Sequence, residues 1–195
     1  MILNGRGEHH VLQFIQNHPV AIRYPRGNAE GVPIKDQPVP IEIGKAEVLR
    51  SFSNNGGRKI ALFALGNMQP VARKAVEQLT ALGHDVALIN PRFFKPLDAG
   101  VHEFFGRAAD VVATLEDHVL MGGYGSAVLE LYADRRVTTP VYRLGWPDQF
   151  VEHATTVDYL RNKHGLTAEH LVIEVTKLLG QEEAVPRITA MSAVA

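Results

Sequence analysis

Apolar residues along this chain fall into short continuous runs separated by longer stretches of helical spacing, a pattern that becomes regular from about residue 59. KIALFAL (59–65), DVALIN (85–90), DVVATL (110–115) and PVYRLG (140–145) have strand length and are rich in residues that suit a buried pleat. Between and after them, apolar positions recur at intervals of three and four, which predicts helices over 68–82, 97–108, 126–135, 157–163 and 168–179. Pro70 is compatible with a first helical turn, and Gly83 is a stop signal. Strands that are apolar on both faces and joined by helical crossovers predict a mainly parallel sheet between two helical layers. Residues 45–52 alternate imperfectly and predict an antiparallel strand at one edge, with 53–57 as a turn of hairpin length. The expected fold is therefore α/β, three-layered, with a mainly parallel five-stranded sheet and one antiparallel edge strand.

The first forty residues break this rhythm. Val11, Leu12 and Ile15 sit at helical spacing within 8–17, and Pro19 ends that pattern. Residues 20–24 read as a strand closed by Pro25 and Gly27. The next segment holds Gly31, Pro33, Pro38 and Pro40 among polar residues and reads as a linker. This divides the chain into a leading helix and strand (1–27), a linker (28–41), one domain (42–180) and a tail without periodicity (181–195) that is expected to fray.

Composition narrows the function. Of 195 residues, 46% are hydrophobic, enough for a substantial core. Formal net charge is −1 and no basic block stands out, so nucleic acid is not an expected partner. The absence of cysteine excludes disulfides, thiolate metal sites and cysteine nucleophiles, and it suits a reducing compartment. MILNGRGEHH has no basic region followed by an apolar stretch, so it does not read as a signal peptide. No apolar run approaches the roughly 18 residues that span a bilayer. No membrane association and a cytoplasmic location are the expectation.

Four groups could carry chemistry. Arg23 and Arg26 in IRYPRG stand near a predicted strand end, and the planar guanidinium suits a phosphate. Side chains alternate along a strand, so only one of the two is expected to reach a ligand. The plainer alternative is a strand-end arginine paired with a neighbouring loop. GGYGS (122–126) opens a helix, where free N–H groups attract anions. It matches neither the dinucleotide nor the Walker pattern, and close backbone packing explains its glycines better. Glu116, Asp117 and His118 could serve acid–base work, although helix-entry capping or a solvated cluster is the commoner outcome. Trp146, Asp148, Glu152 and His153 follow the last strand, with Trp146 either a subunit-contact anchor or a cover for the core. His9 and His10 are adjacent, His18 is distant and no HExxH occurs, so no metal site is expected from this chain alone.

Several strings, in order, carry a family resemblance. AIRYPRGNAEG (21–31), EIGKAEVLR (42–50), NPRFFKPLD (90–98), EDHVLMGGYGSAVLE (116–130) and GWPDQFVEH (145–153) resemble the C-terminal part of the 1-deoxy-D-xylulose-5-phosphate synthase family. These are transketolase-like, thiamine-diphosphate-dependent enzymes. The resemblance runs from about residue 20 to 180. It implies a transketolase C-terminal domain over 42–180, with 1–27 a remnant of the pyrimidine-binding domain beginning inside that domain's last helix. It also implies that the complete enzyme is a homodimer using thiamine diphosphate and Mg2+. Such an enzyme condenses pyruvate with glyceraldehyde 3-phosphate and releases CO2, feeding isoprenoid, thiamine and pyridoxal phosphate synthesis. The position matching the family's phosphate-contacting arginine is Arg23. No role carries over to Arg26.

The departures are as informative. The family's GDG with a downstream Asn-Asn pair, which holds diphosphate and magnesium, is absent here, as is the cofactor-activating glutamate of the second domain. EHA stands at 152–154 where the family has EHG. The chain alone is therefore expected to bind no cofactor and to be inactive, requiring the missing N-terminal domains or a companion subunit. The alternatives are a non-catalytic binding or regulatory module, a subunit of a split transketolase-like enzyme, and a nucleotide-binding protein built on GGYGS.

Overall fold

The computed structural model describes residues 2–3, 9–10, 21–23, 41–153 and 155–180. Five strands form the sheet: β1 (Glu47–Arg50), β2 (Lys59–Ala64), β3 (Asp85–Asn90), β4 (Val111–Val119) and β5 (Val141–Trp146). Their spatial order is β1-β3-β2-β4-β5, with β2, β3, β4 and β5 parallel and β1 antiparallel to β3. Helices α1 (Gln69–Ala81), α2 (Ala99–Ala108), α3 (Tyr124–Arg135), α4 (Val157–Lys163) and α5 (Ala168–Leu178) complete it. This is the three-layer α/β arrangement that the periodicity predicts. None of the described helices is long and apolar enough to cross a membrane.

Alternation along β2 divides the core between the two faces. Ile60, Leu62 and Ala64 join Leu79 of α1 and Leu171 and Val175 of α5. Ala61 and Phe63 join Phe105 of α2 with Tyr124, Val128 and Tyr132 of α3. A central strand buried on both faces has no polar side, so its sequence reads as an unbroken apolar run.

Residues 53–57 are not a hairpin turn. β1 pairs with β3 instead of β2, through Glu47 opposite Asn90 and Val48 opposite Ile89. The connection must cross the start of β3, and Asp85 fixes it there. This fully buried carboxylate accepts from Ser53 N at 2.8 Å, Ser53 Oγ at 2.9 Å and Asn54 N at 2.7 Å. The crossing is also tight: a Cβ on Gly57 would lie 2.1 Å from the carbonyl oxygen of Gly83.

Two expectations near the start of the chain fail. His9–His10 pairs antiparallel with Ile2–Leu3, so residues 9 and 10 are extended rather than helical; that local ladder overrides the helical spacing. Ala21–Arg23 forms no strand, since it joins no ladder. The remainder of 8–17, Arg26, the linker up to residue 40 and the tail lie outside the described residues.

His102 of α2 is wholly buried, and its neighbours set its tautomer. Nδ1 lies 2.7 Å from the Asp98 carbonyl oxygen and so must donate, leaving Nε2 to accept from the Tyr124 hydroxyl at 2.7 Å. Phe63 stacks on the ring at 4.6 Å. Burial holds the pKa of His102 below its ordinary value, against the smaller opposing effect of Asp98. His84 is shifted the same way by burial and by Arg58. Below an unfolded-state pKa of about 6.5 the unfolded chain then binds more protons than the folded one, so stability falls with falling pH. Thermal unfolding at stepped pH should show the midpoint dropping between neutrality and pH 5.5 or so, and His102→Gln should flatten that slope.

Candidate functional site

The carboxyl ends of β2, β4 and β5 meet around one residue, Asp117. β4 runs through Glu116, Asp117 and His118 to Val119, beyond the predicted end of the apolar run. Trp146 closes β5, and Asn67 lies in the 3-10 turn Gly66–Met68 after β2. The Asp117 carboxylate accepts from Trp146 Nε1 at 2.6 Å and from Asn67 Nδ2 at 2.5 Å, with Arg161 Nη2 of α4 at 3.5 Å. Burial alone would raise the Asp117 pKa, but these donors and the nearby guanidiniums outweigh it and hold the carboxyl below its usual range. At neutral pH this residue is therefore an anion. Arg23 reaches the same point from another segment: its Nη2 donates to the backbone oxygen of Asp117 at 3.0 Å.

Glu116 faces the opposite way and is 1% exposed. Its carboxylate accepts from Tyr124 N at 2.6 Å and Gly125 N at 2.9 Å, the first donors of α3. Ser126 N and Ala127 N donate back to Gly123 O. All four opening N–H groups of α3 are thereby satisfied within the chain. Burial pushes the Glu116 pKa up, and the two N–H donors pull against it. The anion-binding start of this helix is filled by the protein's own carboxylate.

The glycines make that contact possible. A Cβ on Gly123 would lie 2.3 Å from Glu116 Oε2, and one on Gly125 would lie 2.6 Å from Thr114 Oγ1. Close packing at Gly123 and Gly125 and a left-handed backbone at Gly122 (φ 68°), rather than a phosphate cradle, account for the glycines of GGYGS. Arg143 Nη1 donates to Leu120 O and Ser126 Oγ, which fixes the loop ahead of the helix.

The other sequence-predicted residues disperse. His118 Nδ1 lies near Val119 O, so Glu116, Asp117 and His118 make no acid–base dyad. Trp146 packs against the α1–α5 core and meets the His164 ring at 5.5 Å, so it covers the core as well as binding Asp117. Glu152 pairs with Lys163 and His164 at the end of α4, while His153 and Asp148 are exposed. Sequence reasoning missed Asn67 and Arg161. Neither carries a local signal beyond its place just past a strand or on a helix; only tertiary folding brings them to Asp117.

Residues 44–171 match the profile of the transketolase, C-terminal domain family. The 1-deoxy-D-xylulose-5-phosphate synthase of Methylacidiphilum infernorum is 46% identical over 161 residues, covering 83% of this chain and 25% of that protein. The enzyme of the same name from Acidobacterium capsulatum is 44% identical over 155 residues, covering 80% of this chain and 24% of that protein. The chain thus spans about a quarter of the length of the curated relatives it matches. A solved structure described as a split gene transketolase, inactive beta4 tetramer, superposes with a TM-score of 0.65 at 32% identity, covering 74% of this chain and 45% of that one.

Proposed function

We propose, from the premise that this chain belongs to the transketolase C-terminal domain family, that it is the C-terminal portion of a 1-deoxy-D-xylulose-5-phosphate synthase. In that reading the assembled enzyme condenses pyruvate with glyceraldehyde 3-phosphate and releases CO2, in the cytoplasm and as a homodimer. The observation that carries the reading is Arg23 in RYPRG, seated on the Asp117 carbonyl at the carboxyl edge of the sheet, where α/β proteins place ligands. Its guanidinium is exposed, with further donors for the phosphate of the aldehyde substrate.

The described residues do not fit thiamine diphosphate or its magnesium. The helix start that would suit a diphosphate holds Glu116, and among the described residues no group of three or more histidines, aspartates and glutamates could hold a metal ion. The chain's own part is to bind the substrate phosphate, cover the substrate channel and add subunit contact area. In this reading cofactor activation falls to the part of the relatives, about three quarters of their length, that this chain does not span.

The purified chain, given pyruvate, glyceraldehyde 3-phosphate, thiamine diphosphate and Mg2+, should form no product. Co-expression with a polypeptide carrying the two missing domains should restore it. In that assembly Arg23→Ala should lower kcat/KM for glyceraldehyde 3-phosphate by about 100-fold, mostly through KM. Turnover by the chain alone, or an unchanged KM in the variant, would overturn the reading.

A second reading is favoured by the split transketolase neighbour, whose transketolase is divided between genes. Here the chain is a separately encoded subunit that docks on a companion bearing the cofactor domains. Co-purification of such a companion would decide for it. A stable monomer that pairs with no such polypeptide would favour a binding or regulatory module.

A further inference from the structure

The connection from β1 to β2 contains a chemically labile dipeptide, Asn55 followed by Gly56, and both residues are exposed. Among the described residues neither Gly56 N nor Asn55 Nδ2 donates a hydrogen bond, whereas Asn55 Oδ1 accepts from Gly57 N at 2.9 Å. The ring closed by that bond includes Gly56 N, so the carboxamide is folded back toward the nitrogen that follows it. The same bond draws electron density away from Asn55 Cγ. A Cβ added at Gly56 would meet nothing within 4 Å, and its φ of 85° is one that glycine adopts freely. The site therefore combines an unshielded amide nitrogen, a polarised carbonyl beside it and room for a ring.

The other described asparagines lack at least one of these features. Asn90 precedes Pro91, which has no N–H to lose. Asn67 Nδ2 is bound to Asp117 Oδ2, and Asn162 Nδ2 to Asp158 O, so each amide is held by the nitrogen that would have to leave. Asn54 is followed by a residue with a side chain, and its own backbone is fixed to Asp85 through Asn54 N at 2.7 Å. Position 55 matters because the chain on either side of it has no slack. Ser53 and Asn54 are anchored on buried Asp85, and Gly57 lies tight against the Gly83 carbonyl. An atom added to the main chain between these two fixed points must pull one of them loose.

We propose that Asn55 is a self-modification site, which converts to isoaspartate and thereby releases β1 from β3. Gly56 N gives up its proton to solvent base and attacks Asn55 Cγ. The new N–C bond closes a succinimide, and the side-chain nitrogen leaves as ammonia. Water then opens the ring. Cleavage of the new bond leaves an aspartate; cleavage of the original peptide bond leaves an isoaspartate, whose main chain runs through Cβ and Cγ and is one carbon longer. Gly56 N regains a proton either way, so water is the co-reactant and nothing is oxidised or reduced. The longer connection draws Ser53 and Asn54 off Asp85 or lifts Gly57 from Gly83. Either change frees β1, whose pairing with β3 already shifts register between Val48 and Arg50. Loss of β1 bares the outer edge of β3. This chemistry is independent of the synthase reading.

The test ages the full chain at mildly alkaline pH, digests it with trypsin and maps the fragments by mass spectrometry. Residues 51–58 follow Arg50 and end at Arg58, so they form one fragment, distinct from the one that carries Asn4 and Gly5. Asn55 should gain the mass of an acid-for-amide exchange about tenfold faster than Asn67 or Asn162, because glycine alone puts no side chain in the way of ring closure. Electron-transfer fragmentation should identify isoaspartate there. Hydrogen exchange should then show the amides of Glu47–Arg50 unprotected in the aged chain. Asn55→Gln, whose longer side chain closes a larger ring slowly, should prevent both changes. Freshly purified Asn55→Asp supplies the charge without the extra carbon and should keep β1 protected. Survival of the Asn55 amide in the aged chain would overturn the proposal, and so would an isoaspartyl chain in which β1 keeps its protection. Exposure of β1 in fresh Asn55→Asp would overturn it too, since charge alone would then suffice.

Discussion

Glu116→Ala should cost the domain about 3–5 kcal/mol, measured as a shift in the chemical denaturation midpoint at unchanged slope. The substitution does not remove a solvated charge. It strips two buried N–H groups at the start of α3 of their acceptor and leaves a void where a carboxylate had packed. Each orphaned donor costs roughly 1–3 kcal/mol, and the lost volume adds to that. Glu116→Gln keeps a carbonyl oxygen for one of the two donors and should lose less than half as much. A Glu116→Ala midpoint within about 1 kcal/mol of the parent would mean that water replaces the carboxylate at no cost, and the account of this helix start would be wrong.

Phe63→Ala should cost a similar amount, about 3–5 kcal/mol, for a different reason. Phe63 is fully buried at the centre of β2, stacked on His102 and edge-on to Phe105 at 6.5 Å. Truncation leaves a cavity bounded by two rings and α2, and the surrounding strands cannot close on it because both are paired in register. Phe63→Leu should recover most of the loss. The His102 signal in an NMR titration reports the same event: a wetter pocket should bring its pKa back up toward the ordinary value. Normal stability together with an unmoved His102 would show that the ring is not part of the packed core.

These two residues mark what could be read from the sequence and what could not. Phe63 stands in KIALFAL, an unbroken apolar run of strand length, and such a run has only one use in an α/β protein. The same reasoning located the other parallel strands and all five helices to within a few residues, because each buries a stripe or a face that repeats with its own period. Glu116 looked solvated because it opens a charged string, and the strand was expected to stop before it. β4 instead continues to Val119, and that continuation carries Glu116 inward and Asp117 to the strand edge. The pairing of β1 was hidden for a related reason: nothing between residues 50 and 59 says that Asp85, far along the chain, will claim Ser53 and Asn54. Arg23 was singled out through its motif and lies against the Asp117 backbone, whereas Asn67 and Arg161 share no spacing with it or with Asp117. Local periodicity reports which face is buried, and it carries no record of which polar groups will meet at a strand end.

The strand order has a consequence for how the molecule is made. β1 is synthesised before any of its sheet partners, yet its place is defined only once β3 exists. On a ribosome it therefore waits as an unpaired segment through the emergence of β2 and all of α1. The parallel pair β2–β3 forms from nearer neighbours, and β4 and β5 then extend the opposite side in the order they appear. Loop closure favours that sequence of events, since β1 must span the whole of the first crossover to dock. The first strand of the five-stranded sheet is thus a late arrival, and until it docks the outer edge of β3 stands open to a neighbouring nascent chain.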